Sequence, residues 1–300
     1  MVIRGALSIL LVAALAGCSG LFGTVNPDGT VSALEKAPGV ATVEASTSDQ
    51  TFETQATLGV QVTTTDSVSR DEVAGIVETW WAEVAKIDGV ATLQIERPGS
   101  DSEFELTTWL STETAVAAAT EWFDLSEVVT ATTEVSSVVE TRIPVEPGGP
   151  ASVLAVLGSL DLVPSSERVV VSSDDTTFTS YRPVSDATAV TALEALQLPF
   201  AAAGEYGSIT IDVTQATPIR VRVDLDPDAL RNTPGNEVSG LFPNDPMYGV
   251  VRMVLDAVPA STGAQVDVSV FGRSVAALDA TECTSEGVLS ADLWSYWGAC

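Results

Sequence analysis

The sequence predicts an α+β fold in which pairs of strands alternate with single helices, giving antiparallel sheets that carry their helices on one face. From Val40 onward the hydrophobic period switches in a regular order between two and about 3.6 residues, the periods of a half-buried strand and of an amphipathic helix. Helix starts near residues 70, 112, 149 and 186 recur at intervals of about forty residues, which points to a repeated supersecondary unit. At 300 residues and 31.1 kDa the chain is long enough to bury a sizeable core.

The first helix is predicted over 70–86. Ser69 and Glu72 form a capping box, and Val73, Ile76, Val77, Trp80, Trp81, Val84 and Ile87 make one apolar stripe. A second runs over about 112–124 with Ala115, Val116, Ala119, Trp122 and Phe123 inward. A third starts near 149, where Pro150 fits a first-turn position, and buries Val153, Leu154, Val156, Leu157 and Leu160. The fourth begins near 186, with Val190, Leu193, Leu196 and Phe200 inward. A last helix over 245–258 has Asp245 as cap, Pro246 at its first position and Val250, Val251, Val254, Leu255 and Val258 inward. Between helices lie alternating runs: Leu58-Val60-Val62, Phe104-Leu106, a hairpin at 167–173 and 176–181 turned by Asp174-Asp175, Ile209-Ile211-Val213 with Ile219-Val221-Val223-Leu225, and Val266-Val268-Val270.

Cut after its first strand, this order gives β-α-β-β-α-β from about 54 to 135, the same again to about 214, and a closing β-α-β. Each such unit resembles the ferredoxin-like fold, an antiparallel sheet with both helices on one face. The turns Pro38-Gly39-Val40 and Asp88-Gly89-Val90 are similar to those of small modules of that fold such as BON domains. The resemblance implies a fold class and no function. The resulting plan is a signal peptide at 1–17, a tether at 18–37, tandem ferredoxin-like units at 38–135 and 136–214, a closing segment at 215–275 and a tail at 276–300. A single mixed sheet not divisible into units is the alternative on the same element order.

Composition removes several functions. With 13 Lys+Arg against 41 Asp+Glu, the net charge of −28 repels a phosphate backbone, so no nucleic-acid partner is expected. Histidine is absent, which excludes His-based triads, dyads and zinc sites. The chain lacks a Gly-Lys phosphate loop, a GxGxxG, a GxSxG elbow and a Ser three residues before either lysine. No cofactor is expected, and the chain reads as a non-enzyme.

The amino terminus opens with one cation, Arg4, followed by the uncharged run Gly5–Ala16, the layout of a signal peptide. A membrane-spanning helix needs roughly twenty apolar residues. This run ends at Leu15-Ala16-Gly17-Cys18. Here the sequence resembles the bacterial lipoproteins, whose lipobox is Leu, a small residue, Gly or Ala, then Cys. The resemblance implies that Cys18 receives a diacylglyceryl group, that cleavage falls just before it, and that two or three acyl chains hold the protein on the outer face of the cell membrane. The scarcity of lysine beside abundant Arg, Ala, Val and Thr is the bias of a GC-rich genome such as those of actinobacteria. With Cys18 lipidated, Cys283 and Cys300 remain as a disulfide pair in an oxidising compartment. The 18-residue loop they would close is worth about 3 kcal/mol on the chain-entropy model, and it holds Trp294 and Trp297 outside the periodic body.

Binding candidates lie on the polar side of the strands: Gln61, Thr63, Thr210, Asp212, Arg220, Arg222, Asp267 and Ser269. Arg220 and Arg222, with Asp212, stand out where cations are scarce. They suit an anionic wall polymer or an acidic envelope partner, against the plainer reading of cross-strand pairing with Asp212 or Asp224. Asp224, Asp226 and Asp228 have the spacing of a calcium loop, yet Ala229 and Gly235 occupy the positions that require Gly and Glu. Helix capping after a strand is the simpler role. The expectation is therefore a lipid-anchored, extracytoplasmic, non-enzymatic binding or scaffolding module. An ion- or solute-capturing lipoprotein and a carboxylate-dependent cell-wall hydrolase are the alternatives.

Overall fold

The computed structural model describes residues 26–48, 55–87, 89–107, 110–146, 150–159, 166–173, 176–181, 191, 193–198, 207–213, 219–225, 246–270, 273–287 and 289–298. The chain divides into two units, Met1–Glu127 with Thr132–Val139 and Val128–Ala131 with Glu140–Cys300.

In the first unit a short helix α1 (Asp28–Leu34) precedes β1 (Val40–Ser48), β2 (Thr57–Thr64), α2 (Arg70–Val84), β3 (Val90–Glu96), β4 (Glu103–Thr107), α3 (Thr112–Ser126) and β5 (Thr132–Val135). The capping box forms: the Glu72 amide donates to Ser69 Oγ at 3.4 Å, and the Ser69 amide donates to Glu72 Oε2 at 2.7 Å. The Ser69 amide, and then the Ser69 hydroxyl, which donates to Glu72 Oε2 at 2.9 Å, hold the Glu72 carboxyl below its ordinary pKa. Ser111 caps α3 by accepting from the Thr114 amide at 3.2 Å.

The period-two pattern places Leu58, Val60 and Val62 of β2 on one face with Ala91, Leu93 and Ile95 of β3 in direct register, and Phe104 and Leu106 of β4 continue the row. Helices α2 and α3 pack against each other and join these strands in one core. Trp80 and Trp122 are almost wholly buried in it, and the Trp122 ring lies 5.8 Å from that of Phe104. Trp81, Val116 and Ile87, expected on the apolar stripes, are only partly buried. The segment read as a tether contains α1, whose Leu34 is fully buried and which packs on α2.

In the second unit β6 (Val139–Pro144) leads into α4 (Pro150–Ser159), β7 (Arg168–Ser172), β8 (Thr176–Ser180), β9 (Gly207–Val213), β10 (Arg220–Leu225), α5 (Pro246–Ala257), β11 (Gln265–Val270), β12 (Arg273–Asp279), β13 (Thr284–Glu286) and α6 (Ser290–Trp297). One apolar row crosses seven of these strands: Ile143, Val171, Phe178, Ile211, Val221, Val266 and Leu278, each 1 % exposed or less. Val250, Val251, Val254, Leu255 and Val258, the predicted stripe of the last helix, are all buried. Of the fourth predicted helix, residues 193–195 and 197–198 are helical with Leu193 and Leu196 buried, while Val190, Phe200, Asp245 and Asp174-Asp175 lie outside the described residues.

The tail is built rather than loose. Trp297 donates its indole N–H to the Val258 carbonyl at 2.9 Å, Tyr296 donates to Asp256 at 2.6 Å, and the Arg252 guanidinium stacks 3.9 Å from the Tyr296 ring centroid. Trp294 packs edge-on against Trp297, 6.0 Å between centroids. Gly287 has φ +110°, where a Cβ would sit 2.3 Å from the Val275 carbonyl oxygen, so no other residue fits this turn.

The structure overturns the tandem ferredoxin-like expectation. The described strands are arranged in mixed sheet structure whose lateral order is the chain order, β1 to β5 in the first unit and β6 to β13 in the second. Hairpin neighbours are antiparallel, but α2, α3, α4 and α5 each join two adjacent parallel strands, β2 to β3, β4 to β5, β6 to β7 and β10 to β11. In a ferredoxin-like unit another strand lies between the two that a helix connects. The alternation of strand pairs and helices from β1 to β11 matches the expectation where it is described, whereas α1, β12, β13 and α6 were not expected; lateral order was not legible, because hydrophobic period reports which face of a strand is buried and not which strand lies beside it.

One geometric consequence follows in the first unit. β2 and β4 run in opposite directions, both crossovers step the same way across the sheet, and α2 and α3 cover the same face. The two crossovers are therefore of opposite hand, although about 98% of βαβ connections are right-handed.

Strand order is directly testable. A Thr63→Cys/Glu96→Cys pair, in register on adjacent β2 and β3, is expected to form a disulfide on mild oxidation. Thr63→Cys/Glu105→Cys, two strands and two residues apart at about 12 Å, is expected not to. Non-reducing peptide mapping distinguishes them, and the reverse pattern restores the ferredoxin order. Trp80→Ala is expected to cost about 3–5 kcal/mol in urea denaturation. Trp80→Phe removes a buried indole N–H that finds no acceptor, and it is expected to cost less.

Candidate functional site

Each unit leaves one sheet face polar, and the two faces differ in charge. In the second unit the row beside the apolar one reads Arg142, Val170, Thr179, Asp212, Arg220, Gln265 and Asp279. Arg220 donates through Nε and Nη2 to Asp267 Oδ2 at 2.8 and 2.6 Å. Its partner thus comes from β11, the parallel neighbour, and not from Asp212, which stands opposite it on β9, nor from Asp224. Arg222 is exposed and makes no ion pair with any described residue. Asp224 accepts from the Ser269 hydroxyl, while Asp226 and Asp228 lie outside the described residues. Among the described residues no group of three or more His, Cys, Asp or Glu could hold a metal ion.

Sequence reasoning missed a second arginine cluster on this face. Glu140, its side chain 9 % exposed, accepts from Arg142 Nε at 2.6 Å and from Arg168 Nη1 at 2.7 Å. Arg168 also lies 5.5 Å from the Tyr181 ring centroid. The alternation Glu140-Thr141-Arg142 was the available signal, and its partner Arg168 was hidden 28 residues on.

In the first unit none of β1 to β5 contains a lysine or arginine. Its open face carries a row of Glu44, Gln61, Gln94, Glu105 and Glu134 in register across five strands, with Glu96 and Glu103 paired in the next row. Gln61 Nε2 donates to Glu96 at 2.7 Å, and Gln94 Nε2 donates to Glu103. Partial burial, then the carboxylates of Glu134 and Glu103, push the Glu105 pKa above the ordinary carboxyl value. A hollow of about 210 Å³ opens where Gly59 leaves a gap, lined by Glu44, Ala45, Ser46, Gly59, Val60, Gln61, Thr92 and Gln94. Neither Glu105 nor Glu134 reaches it. The sequence signal for the hollow was the glycine inside a strand, Leu58-Gly59-Val60, a common mark of close approach by another group.

Cys283 is disulfide-bonded, and Cys18 and Cys300 lie outside the described residues. Comparison of the chain with protein-family models, with curated proteins and with solved structures returns no match.

A carboxyl whose pKa is raised by folding favours the folded state below its unfolded pKa and loses that contribution as pH rises through its folded value. Glu105→Gln is therefore expected to raise the urea midpoint at neutral pH and to change it less at about pH 4. A variant that is less stable than the parent at neutral pH would show that Glu105 is held by attraction instead.

Proposed function

We propose that the protein is a lipid-anchored, extracytoplasmic lipoprotein that acts by binding and not by catalysis. The observation that carries this reading is Leu15-Ala16-Gly17-Cys18 at the end of an uncharged run too short to span a bilayer. The disulfide at Cys283 supports an oxidising compartment. Among the described residues no helix is long and apolar enough to cross a membrane.

Binding is favoured over chemistry by the character of the two open faces. They present charged and amide side chains on rigid strands, which suits directed polar contacts with a partner of complementary charge. On the second unit the exposed guanidinium of Arg222, which pairs with none of the described residues and stands beside the Arg220–Asp267 pair, suits a planar bidentate contact with an anionic wall polymer or an acidic envelope protein.

Cys18→Ala is expected to move the protein from the membrane to the soluble fraction and to abolish incorporation of labelled palmitate in the native host. A variant that stays with the membrane overturns the anchoring reading.

A further inference from the structure

We propose that the open face and free edge of the first unit form a docking site for an extended, lysine- or arginine-bearing segment of another protein, with a cationic side chain seated in the hollow over Gly59. β1 lies at the edge of the sheet, and its one strand partner among the described residues is β2. Glu44 to Ser48 are all exposed. The strand is nine residues long and contains no lysine and no proline, two of the devices by which edges are normally blunted. Among the described residues no second strand pairs with its outer side, where backbone N–H and C=O groups can receive an added strand.

The hollow sits directly behind this edge, because Glu44, Ala45 and Ser46 form one wall. Its chemistry is that of an acceptor. The amide nitrogens of Gln61 and Gln94 are turned toward Glu96 and Glu103, so the amide oxygens are left for an incoming donor. Glu44 adds a carboxylate, and the Ser46 and Thr92 hydroxyls can accept as well. A group with several N–H donors and a positive charge matches this lining, as an ammonium or guanidinium does. Gly59 makes the room: a Cβ there would stand 2.9 Å from Ser46 Oγ.

Charge selects the occupant. Glu44, Glu96, Glu103, Glu105 and Glu134 share a face whose strands have no cation. A second copy of this chain would bring −28 against −28 and is disfavoured. In an added strand alternate side chains fall on the open face, so cations at every second position would lie beside Thr42, Glu44 and Ser46. This inference rests on the reading of the chain as a binding module. It is independent of the anchor, since membrane partition and peptide binding are measured separately.

The test titrates the full-length protein with a peptide of alternating lysine and threonine, and with one of alternating glutamate and threonine. Any cationic peptide is attracted to so acidic a protein, so the decisive readouts are local. The lysine peptide is expected to slow amide hydrogen exchange in residues 40–48, and the glutamate peptide to leave it unchanged. Glu44→Gln and Gly59→Ala are each expected to weaken binding about five-fold or more, a loss of the size seen for a close charge pair or a blocked anchor pocket. Binding without protection of 40–48, or affinity unchanged in both variants, overturns the proposal. So does protection of 40–48 that grows with protein concentration in the absence of peptide, which would assign the edge to a second copy.

Discussion

Leu58, Val60 and Val62 point to one side of β2 while Gly59, Gln61 and Thr63 point to the other, and the same division runs through the strands that flank it. A strand with a single apolar side can be covered on that side alone. In the first unit both α2 and α3 must therefore share a face, although the strands they follow run in opposite directions. With lateral order equal to chain order, this condition and the usual right-handed crossover cannot both hold at every helix. Burial prevails over handedness. Covering Leu93, Ile95, Phe104 and Leu106 with Trp80 and Trp122 is worth several kcal/mol per large side chain at about 25 cal/mol per Å².

How far the structure was legible follows from what each signal measures. The helix over 70–86 was readable because Ser69, Glu72 and the Val73–Trp80 stripe lie within one segment, and local rules govern local structure. The members of the second row from Val171 to Val266 were readable strand by strand for the same reason, whereas Leu278 stood in the segment expected to be a tail. Lateral order was not readable. A ferredoxin-like arrangement reverses the direction of its second crossover and keeps both right-handed, which makes it the natural expectation for a βαββαβ string; this sheet does not make that reversal. The misassigned partner of Arg220 is the same error at the scale of one side chain. Its hairpin neighbour Asp212 was visible in the sequence, whereas Asp267, 47 residues away, becomes a neighbour through the crossover after β10.

Cations are rationed among the strands. The chain has 13 Lys and Arg, and the strands of the second unit hold Arg142, Arg168, Arg220, Arg222 and Arg273 while those of the first hold none. Three of these arginines are matched, Arg142 and Arg168 by the nearly buried Glu140 and Arg220 by Asp267. At Glu140 each guanidinium supplies a directed N–H donor to this nearly buried carboxylate, which offsets part of the cost of taking it out of water. Such pairing consumes most of the local field, and it leaves Arg222 as the exposed positive charge of its row.

The first unit solves the opposite problem, carboxylates on strands that carry no cation of their own. Part of the repulsion is relieved by amides: Gln61 and Gln94 stand between Glu44 and Glu105 in the row and donate to Glu96 and Glu103. Part is left, as the raised pKa of Glu105 records. An amide that spends its N–H groups on one carboxylate must turn its oxygen elsewhere, so the device that neutralises one row makes the neighbouring hollow richer in acceptors. A larger residue at Gly59 would close that hollow, leaving the edge strand β1 with charge but without a seat for a donor. Edge, glycine and amide orientation thus act on one short stretch of surface, and the residual negative potential there is lowered most by an incoming cation.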